Sequence, residues 1–313
     1  MSESVEELAA HFRRFGYAVD RAAVAGQELA ALQTETAAMI AADRRKPAGD
    51  FQVRDGQPWK IDFPSDPAKQ ELNDSIGIVT AHPRITSVMS AIIGPSHTLV
   101  NTIMTFKHSN GGAVVPRHRD DFPDRVQFSQ GHVVMSADIY LDDSTVDNGC
   151  LYVIPGSQIL PDVRDLVGKP MTDTADMVPV ELKAGDILYH DALLVHGSKS
   201  TPPGDNMRRV IYAVYTSPDL LLAEGLLATL SPPPRWWVAS VIGQAAYWAR
   251  RRADVYGDST YRIPESWRAE VDAIEPNLRP DPVWVSEESR QDLRGRFNRM
   301  SRNEFAAGQA DAR

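Results

Sequence analysis

His118-Arg119-Asp120, with His196 far downstream, is the grouping in this 313-residue sequence best suited to chemistry. In extended backbone, residues i and i+2 point to the same side, so His118 and Asp120 can converge on one ion while Arg119 turns away. His196, from a distant segment, would complete one face of an octahedron and leave the opposite positions open. Two neutral imidazoles and a carboxylate with open positions suit iron(II) that also binds a co-substrate and O2. A His-x-Asp pair by itself also occurs in ordinary surface turns, so its surroundings decide its meaning. His190, which precedes Asp191 in a β-like run, competes for the third ligand position, but the turn-forming Gly197-Ser198 favours His196. His11, His82, His97, His108 and His132 lack a carboxylate or histidine partner at ligand spacing and read as core or surface residues. Lys107 and Arg117 stand close to the pair in sequence and read either as contacts for an acidic substrate or as solvated charges.

Downstream stand Asp147-Asn148-Gly149-Cys150-Leu151-Tyr152-Val153-Ile154-Pro155-Gly156-Ser157, then Ala184-Gly185-Asp186-Ile187-Leu188, then His196-Gly197-Ser198 and Arg208. In this order, and with Phe15-Gly16-Tyr17 after an opening helix, the sequence resembles the phytanoyl-CoA dioxygenase family of iron(II)- and 2-oxoglutarate-dependent oxygenases. The resemblance runs from roughly Phe12 to Tyr215. It implies a mainly β protein, a double-stranded β-helix (jelly roll, cupin-like) buttressed by N- and C-terminal helices. It also implies that His118, Asp120 and His196 are the metal ligands and catalytic residues, with Fe(II), 2-oxoglutarate and O2 as cofactor and co-substrates.

Arg208 would then anchor the far carboxylate of 2-oxoglutarate, for which a guanidinium fork is chemically apt. Arg209 is its rival. Strand alternation lets only one of the two face the pocket, and Arg208 would share its face with Val210, Tyr212 and Val214. Arg208 follows His196 by about one residue more than the family pattern, which places a small insertion at Pro202-Pro203-Gly204. Ser198 and Asn101 match family positions that contact the co-substrate; read locally, Ser198 satisfies its own turn and Asn101 caps a strand end. Related halogenases carry Ala or Gly in place of the carboxylate, so Asp120 disfavours halogenation.

The implied reaction is oxidation of a C–H bond of a small organic molecule by a tailoring enzyme of secondary metabolism. The outcome would be hydroxylation, desaturation, epimerisation or cyclisation. Two other classes compete. A cupin-like zinc or manganese isomerase or hydrolase would use the same triad without Arg208 or 2-oxoglutarate. A non-catalytic 2-oxoglutarate-binding or interaction module would not need an intact ligand set.

The elements that position these residues follow from periodicity. Val5–Phe15 and Glu28–Asp43 carry apolar residues at helical spacing, with a short strand at Gly16–Val19 between them. Residues 44–74 hold Pro47, Gly49, Gly56, Pro58, Pro64 and Pro67 and read as a long loop. Ile85–Ile93 reads as a third helix ended by Gly94-Pro95. Then come short β-branched or aromatic runs at Thr98–Phe106, His132–Leu141, Leu151–Ile154, Val178–Leu182, Ile187–Tyr189, Leu193–His196 and Arg208–Tyr215, separated by turn residues. After Pro218 helical spacing returns through Leu220–Leu230, Trp236–Arg252 and Glu287–Met300. The whole of residues 1–313 reads as one domain, with N-terminal helices in 1–97, core strands in about 98–216 and a helical extension in 217–313.

A hydrophobic fraction of 42% and a charged fraction of 24% are ordinary for a globular chain. The net charge of -9 argues against nucleic acid as a partner. One cysteine, Cys150, excludes a disulfide framework and fits a reducing cytoplasm, and Cys150 itself reads as a small core residue. Residues Met1–Ala10 lack the basic start and apolar run of a signal peptide. The most apolar window, Trp236–Ala249, is too short to span a bilayer, so no membrane is expected. It reads as a packing or dimer helix, consistent with a homodimer, or as part of an aromatic lid over a small-molecule substrate.

Overall fold

A computed structural model of the chain describes residues 3–43, 51–54, 57–62, 76, 79–80, 82–108, 114–120, 133–167, 169–201, 207–217, 220, 265 and 268–269. The first helix, α1 (Val5–Phe15), is set by its ends. Ser4 Oγ accepts from the Glu7 backbone N–H at 3.1 Å, and Glu7 Oε2 accepts in return from the Ser4 N–H at 2.7 Å, a reciprocal capping box. Gly16, left-handed at φ 81°, stops the helix and turns the chain into β1 (Tyr17–Asp20). Helix α2 (Gly26–Asp43) follows, and α3 (Pro83–Ile92) opens on His82 and Pro83, with His82 Nδ1 accepting from the Arg84 N–H.

From Thr98 the chain winds between two antiparallel sheets. Strands β4 (Thr98–His108), β6 (Val134–Tyr140), β9 (Ile187–Asp191) and β11 (Met207–Thr216) form the centre of a seven-stranded sheet. Its order is β1-β9-β6-β11-β4-β3-β2, with β2 (Phe51–Arg54) and β3 (Gln57–Asp62) at one edge. Strands β5 (Val115–His118), β10 (His196–Ser198), β7 (Leu151–Val153) and β8 (Val178–Val180) form, in that order, the smaller sheet. The connection that alternates between sheets in this way is the double-stranded β-helix.

Period-two alternation sorts the side chains into two cores. Met135, Ala137, Ile139, Ile211, Ala213 and Tyr215 point from the large sheet towards Leu8, Phe12 and Leu32 of the helices. Tyr140, Leu188 and Val210 meet Leu151, Val153 and Val180 of the small sheet. Strands β6 and β9, inside the large sheet, are covered on both faces and are buried at every position.

Three sequence expectations differ from the structure. Residues 44–74 contain the hairpin partners β2 and β3, with Arg54 opposite Gln57. Asp55-Gly56 between two short alternating runs is the hairpin signal that the many prolines obscured. Leu193–Val195 do not extend a strand: Asp191 Oδ1 accepts from the Leu193 N–H at 2.8 Å and the Asp191 carbonyl from the Leu194 N–H at 2.9 Å, folding an apolar run into a turn. The segment carrying His118, unassigned by periodicity, is the strand β5. A four-residue helix, α4 (Arg164–Val167), is also present. The helices expected after Pro218 fall almost wholly outside the described residues, as does the Trp236–Ala249 window. Among the described residues no helix is long and apolar enough to cross a membrane.

Candidate metal centre and co-substrate pocket

The two sheets bring three side chains together at one end of the barrel. His118 ends β5, His196 begins β10, and the two are direct cross-strand partners. Asp120 lies in the turn just after β5, tied down by its N–H to the Ala192 carbonyl at 2.9 Å. Gly197, between His196 and Ser198, is packed too closely for any side chain: a Cβ would stand 2.9 Å from the Val115 carbonyl oxygen. The strand that carries His196 can therefore lie flat against β5.

The donor atoms of His118, Asp120 and His196 all lie within 4.8 Å of one another. His118 Nε2 and His196 Nε2 are each 3.7 Å from Asp120 Oδ1. Their other nitrogens are occupied, His118 Nδ1 with the Pro116 carbonyl at 2.8 Å and His196 Nδ1 with the Leu194 carbonyl at 2.9 Å. A carbonyl only accepts, so each Nδ1 carries the hydrogen and each Nε2 presents its lone pair to the shared centre. Burial, reinforced by the His118 ring, pushes His196 down to about 3, which keeps it neutral. Burial alone would raise Asp120, but His196, His190 and His118 outweigh it and hold the carboxyl below its ordinary range. Two imidazoles and an ionised carboxylate crowded on one side fit a divalent first-row metal such as iron(II). His118 and Asp120 keep 39% and 33% of their side-chain surface exposed, so the opposite side of that centre is reachable.

Behind the triad lies a buried charge chain. His190 Nε2 is 3.2 Å from Asp120 Oδ2, and His190 Nδ1 is 3.0 Å from Asp138 Oδ2. Asp138 Oδ1 accepts from Ser136 Oγ at 2.6 Å. The Asp120 contact is a hydrogen bond, whereas the Asp138 contact is one of charge only, and a carboxylate at each ring nitrogen favours the imidazolium. Burial opposes that charge, but Asp138 and Asp120 prevail and raise His190 well above its usual range. His190 thus stands behind the triad's carboxylate, not in line with its lone pairs.

The second polar cluster lies deeper between the sheets. Arg208 is buried there, its Nη1 donating to Ser144 Oγ at 2.8 Å and to the Gly149 carbonyl at 2.7 Å. Arg209 points the other way, towards α2, pairing with Asp142 at 2.7 Å and donating to the Gln33 carbonyl and Thr36 Oγ1. Lys107, buried on β4 directly opposite Arg208, donates to Ser198 Oγ at 2.8 Å, to the Gly149 carbonyl at 3.2 Å and to the Lys199 carbonyl. Burial first, and Arg208 second, push its ammonium down to about 7. His196 and Ser198 are two residues apart on β10 and so share a face, ~7 Å apart along the strand. Tyr212, on the same face of β11 as Arg208, is only partly buried. Ser198 thus links the triad to the buried cations: it stands one alternate position from His196 on β10 and accepts from Lys107, the register partner of Arg208.

Of the residues singled out in the sequence, the structure gathers His118, Asp120 and His196 at one point, and Ser198 and Arg208 around Lys107. Asn101 lies on β4 opposite Val214, three alternate positions from Lys107. Arg117 is taken up by Asp176 and the Asp173 carbonyl, outside the cluster. Sequence reasoning did not find the backing role of His190 and Asp138. Their signal was present only in part: Ser136 and Asp138 are polar residues in an otherwise apolar run, and only the β6–β9 pairing brings them beside His190.

A family model described as Phytanoyl-CoA dioxygenase (PhyH) matches residues 12–210. The chain is 28% identical over 148 residues to a methylphosphonate hydroxylase of Gimesia maris, covering 45% of this chain and 52% of that protein. It is 28% identical over 142 residues to a phytanoyl-CoA dioxygenase of Arabidopsis thaliana, covering 42% and 49%. The chain therefore spans about half the length of the curated relatives it matches. Among solved structures it resembles EvdMO1 (26% identity, TM-score 0.55, 68% of this chain and 50% of that one). It also shares its fold with EctD from S. alaskensis with bound Fe (20% identity, TM-score 0.57, 74% and 85%) and with the α-ketoglutarate-dependent epimerase SnoN from nogalamycin biosynthesis (23% identity, TM-score 0.52, 68% and 83%).

Proposed function

The chain belongs to the phytanoyl-CoA dioxygenase family, and from that premise we propose that it is an iron(II)- and 2-oxoglutarate-dependent oxygenase acting on a C–H bond of a small organic molecule. The observation that carries this reading is the pairing of two sites: an open-faced His118, Asp120, His196 triad and, joined to it through Ser198 of β10 and Lys107, the buried cation Arg208. When bound, iron(II) with O2 converts 2-oxoglutarate to succinate and CO2, and a hydroxylation leaves the second oxygen atom on the substrate carbon.

The chain's own part is placement. His118 and His196 each direct an Nε2 lone pair to the metal because their Nδ1 hydrogens are held by backbone carbonyls. Asp120 faces the same point with Oδ1 while His190 occupies Oδ2. Arg208 meets the far carboxylate of 2-oxoglutarate, Ser198 adds a hydroxyl, and Asn101 borders the same strand face. Burial of the cations keeps water from competing for that carboxylate and strengthens their attraction for it.

A metal hydrolase or isomerase using the triad alone would have no use for buried cations linked to it through Ser198, which favours the oxygenase. The substrate class is supported by the methylphosphonate hydroxylase among the relatives, and a tailoring role in secondary metabolism has a precedent of fold in SnoN. A single buried cysteine is in keeping with a cytoplasmic enzyme. Anaerobic titration with iron(II) and then 2-oxoglutarate is expected to produce a metal-to-ligand charge-transfer band. In air, succinate formation is expected to rise on addition of the true substrate. A folded, iron-loaded protein that shows no such band would defeat this reading.

A further inference from the structure

We propose that Lys107 is a positioning residue of the co-substrate site, which turns the Ser198 hydroxyl towards the distal carboxylate of 2-oxoglutarate. The proposal rests on the oxygenase reading and adds to it a residue.

Charge placement is the first argument. Lys107 and Arg208 are register partners on adjacent strands, both more than nine-tenths buried. Like charges directly opposite in a sheet repel. Among the described residues every hydrogen bond that the two cations make goes to a neutral oxygen: Ser144 Oγ, Ser198 Oγ, or the carbonyls of Gly149 and Lys199. Arg208 Nε is buried with no hydrogen-bond partner among the described residues. Buried charge without a counter-charge is costly, and a carboxylate entering the pocket removes the deficit.

Donor counting is the second. The three N–H bonds of Lys107 are used by Ser198 Oγ, Gly149 and Lys199, so its ammonium does not need to touch the co-substrate. Because Ser198 Oγ accepts from Lys107, the serine's own hydrogen is left to donate. Ser198 shares its strand face with His196, so that hydrogen lies on the side of β10 that carries the metal ligand. The cradle is built around Gly149, left-handed at φ 75°, where a Cβ would lie 3.0 Å from Lys107 Nζ and 2.8 Å from the Lys199 carbonyl oxygen.

The test is anaerobic binding to the iron(II)-loaded protein, read by the charge-transfer band. For Lys107→Met the dissociation constant for 2-oxoglutarate is expected to rise at least about tenfold, while that for iron(II) stays as in wild type. For 2-oxobutanoate, which lacks the distal carboxylate, wild type and variant are expected to bind with equal affinity. Ser198→Ala, a change of one oxygen atom, is expected to give the same pattern, and combining the two is expected to cost less than the product of the single effects. It carries the test if Lys107→Met does not fold. Wild-type affinity for 2-oxoglutarate in either variant overturns the proposal, as does an equal loss for both acids. Wild-type protein that binds no 2-oxoglutarate would instead sink the oxygenase reading.

Discussion

Arg208 and Arg209 are neighbours in the chain and lie on opposite faces of β11, so their variants separate binding from stability. Arg208→Met is expected to weaken 2-oxoglutarate by about 10–100-fold, the loss of a charge-assisted contact, with iron(II) affinity unchanged by calorimetry. Arg209→Ala is expected to lower the unfolding midpoint, because Asp142 and α2 lose their clamp, and to leave co-substrate affinity alone. His190→Leu leaves Asp138 buried without its partner and frees Asp120 Oδ2. Metal affinity is expected to fall by about 10–100-fold, with the ligand set itself intact. Lys107 supplies a pH dependence with a definite sign. Its folded value, about 7, lies below the ordinary 10.5, because of burial and of Arg208 opposite. Between those values the unfolded chain holds a proton that the folded chain has released, so the ligand-free protein gains stability as pH rises from about 7 towards 10.5. Below about 7 both states hold the proton and this contribution no longer changes with pH. Over the same rise 2-oxoglutarate binding weakens, since a neutral amine attracts no carboxylate. Thermal unfolding and titrations of wild type against Lys107→Met would show both slopes in wild type only.

At the scale of the element, the short turn between β9 and β10 decides where His196 points. It moves the chain from the large sheet to the small one in Ala192–Val195, and Asp191 holds it through the Leu193 N–H. Asp191→Ala is expected to cost about 1 kcal/mol of stability, by analogy with other lost side-chain caps, and to weaken metal binding through His196. Denaturant melts and iron(II) titration would measure the two effects. The same turn shows where periodicity stops being informative. Leu193-Leu194-Val195 is as apolar as a buried strand, and only the hydrogen bonds of Asp191 distinguish it from one. Helix α1 was fully legible, because Ser4, Glu7 and Gly16 specify both of its ends locally. The β2–β3 hairpin was missed because its prolines outweighed one Asp-Gly pair.

For the molecule as a whole, a site built between two sheets makes stability depend on what that site holds. On the proposed function, iron(II) and 2-oxoglutarate bind the folded state in preference to the unfolded chain. Each at one hundred times its dissociation constant is expected to add about 2.7 kcal/mol. The gain would be measured as a rise in the anaerobic unfolding midpoint, and it should vanish for iron(II) in His196→Ala. The net charge of -9 makes the buried pair of cations more distinctive, since positive charge in the pocket contrasts with an acidic chain.

The candidate ligands were legible in the sequence because His118-Arg119-Asp120 stands ahead of the ordered run from Asn148-Gly149 to His196-Gly197-Ser198, and not because of the His-x-Asp pair alone. The alternation of short apolar runs likewise determined a β-sandwich class, since period two buries one face. What only the tertiary structure decided depends on pairing between distant strands. The cross-strand contact of His118 with His196, the placing of Lys107 opposite Arg208, and the meeting of Asp138, His190 and Asp120 are all set by register, and a shift of one residue would turn each side chain to the other face.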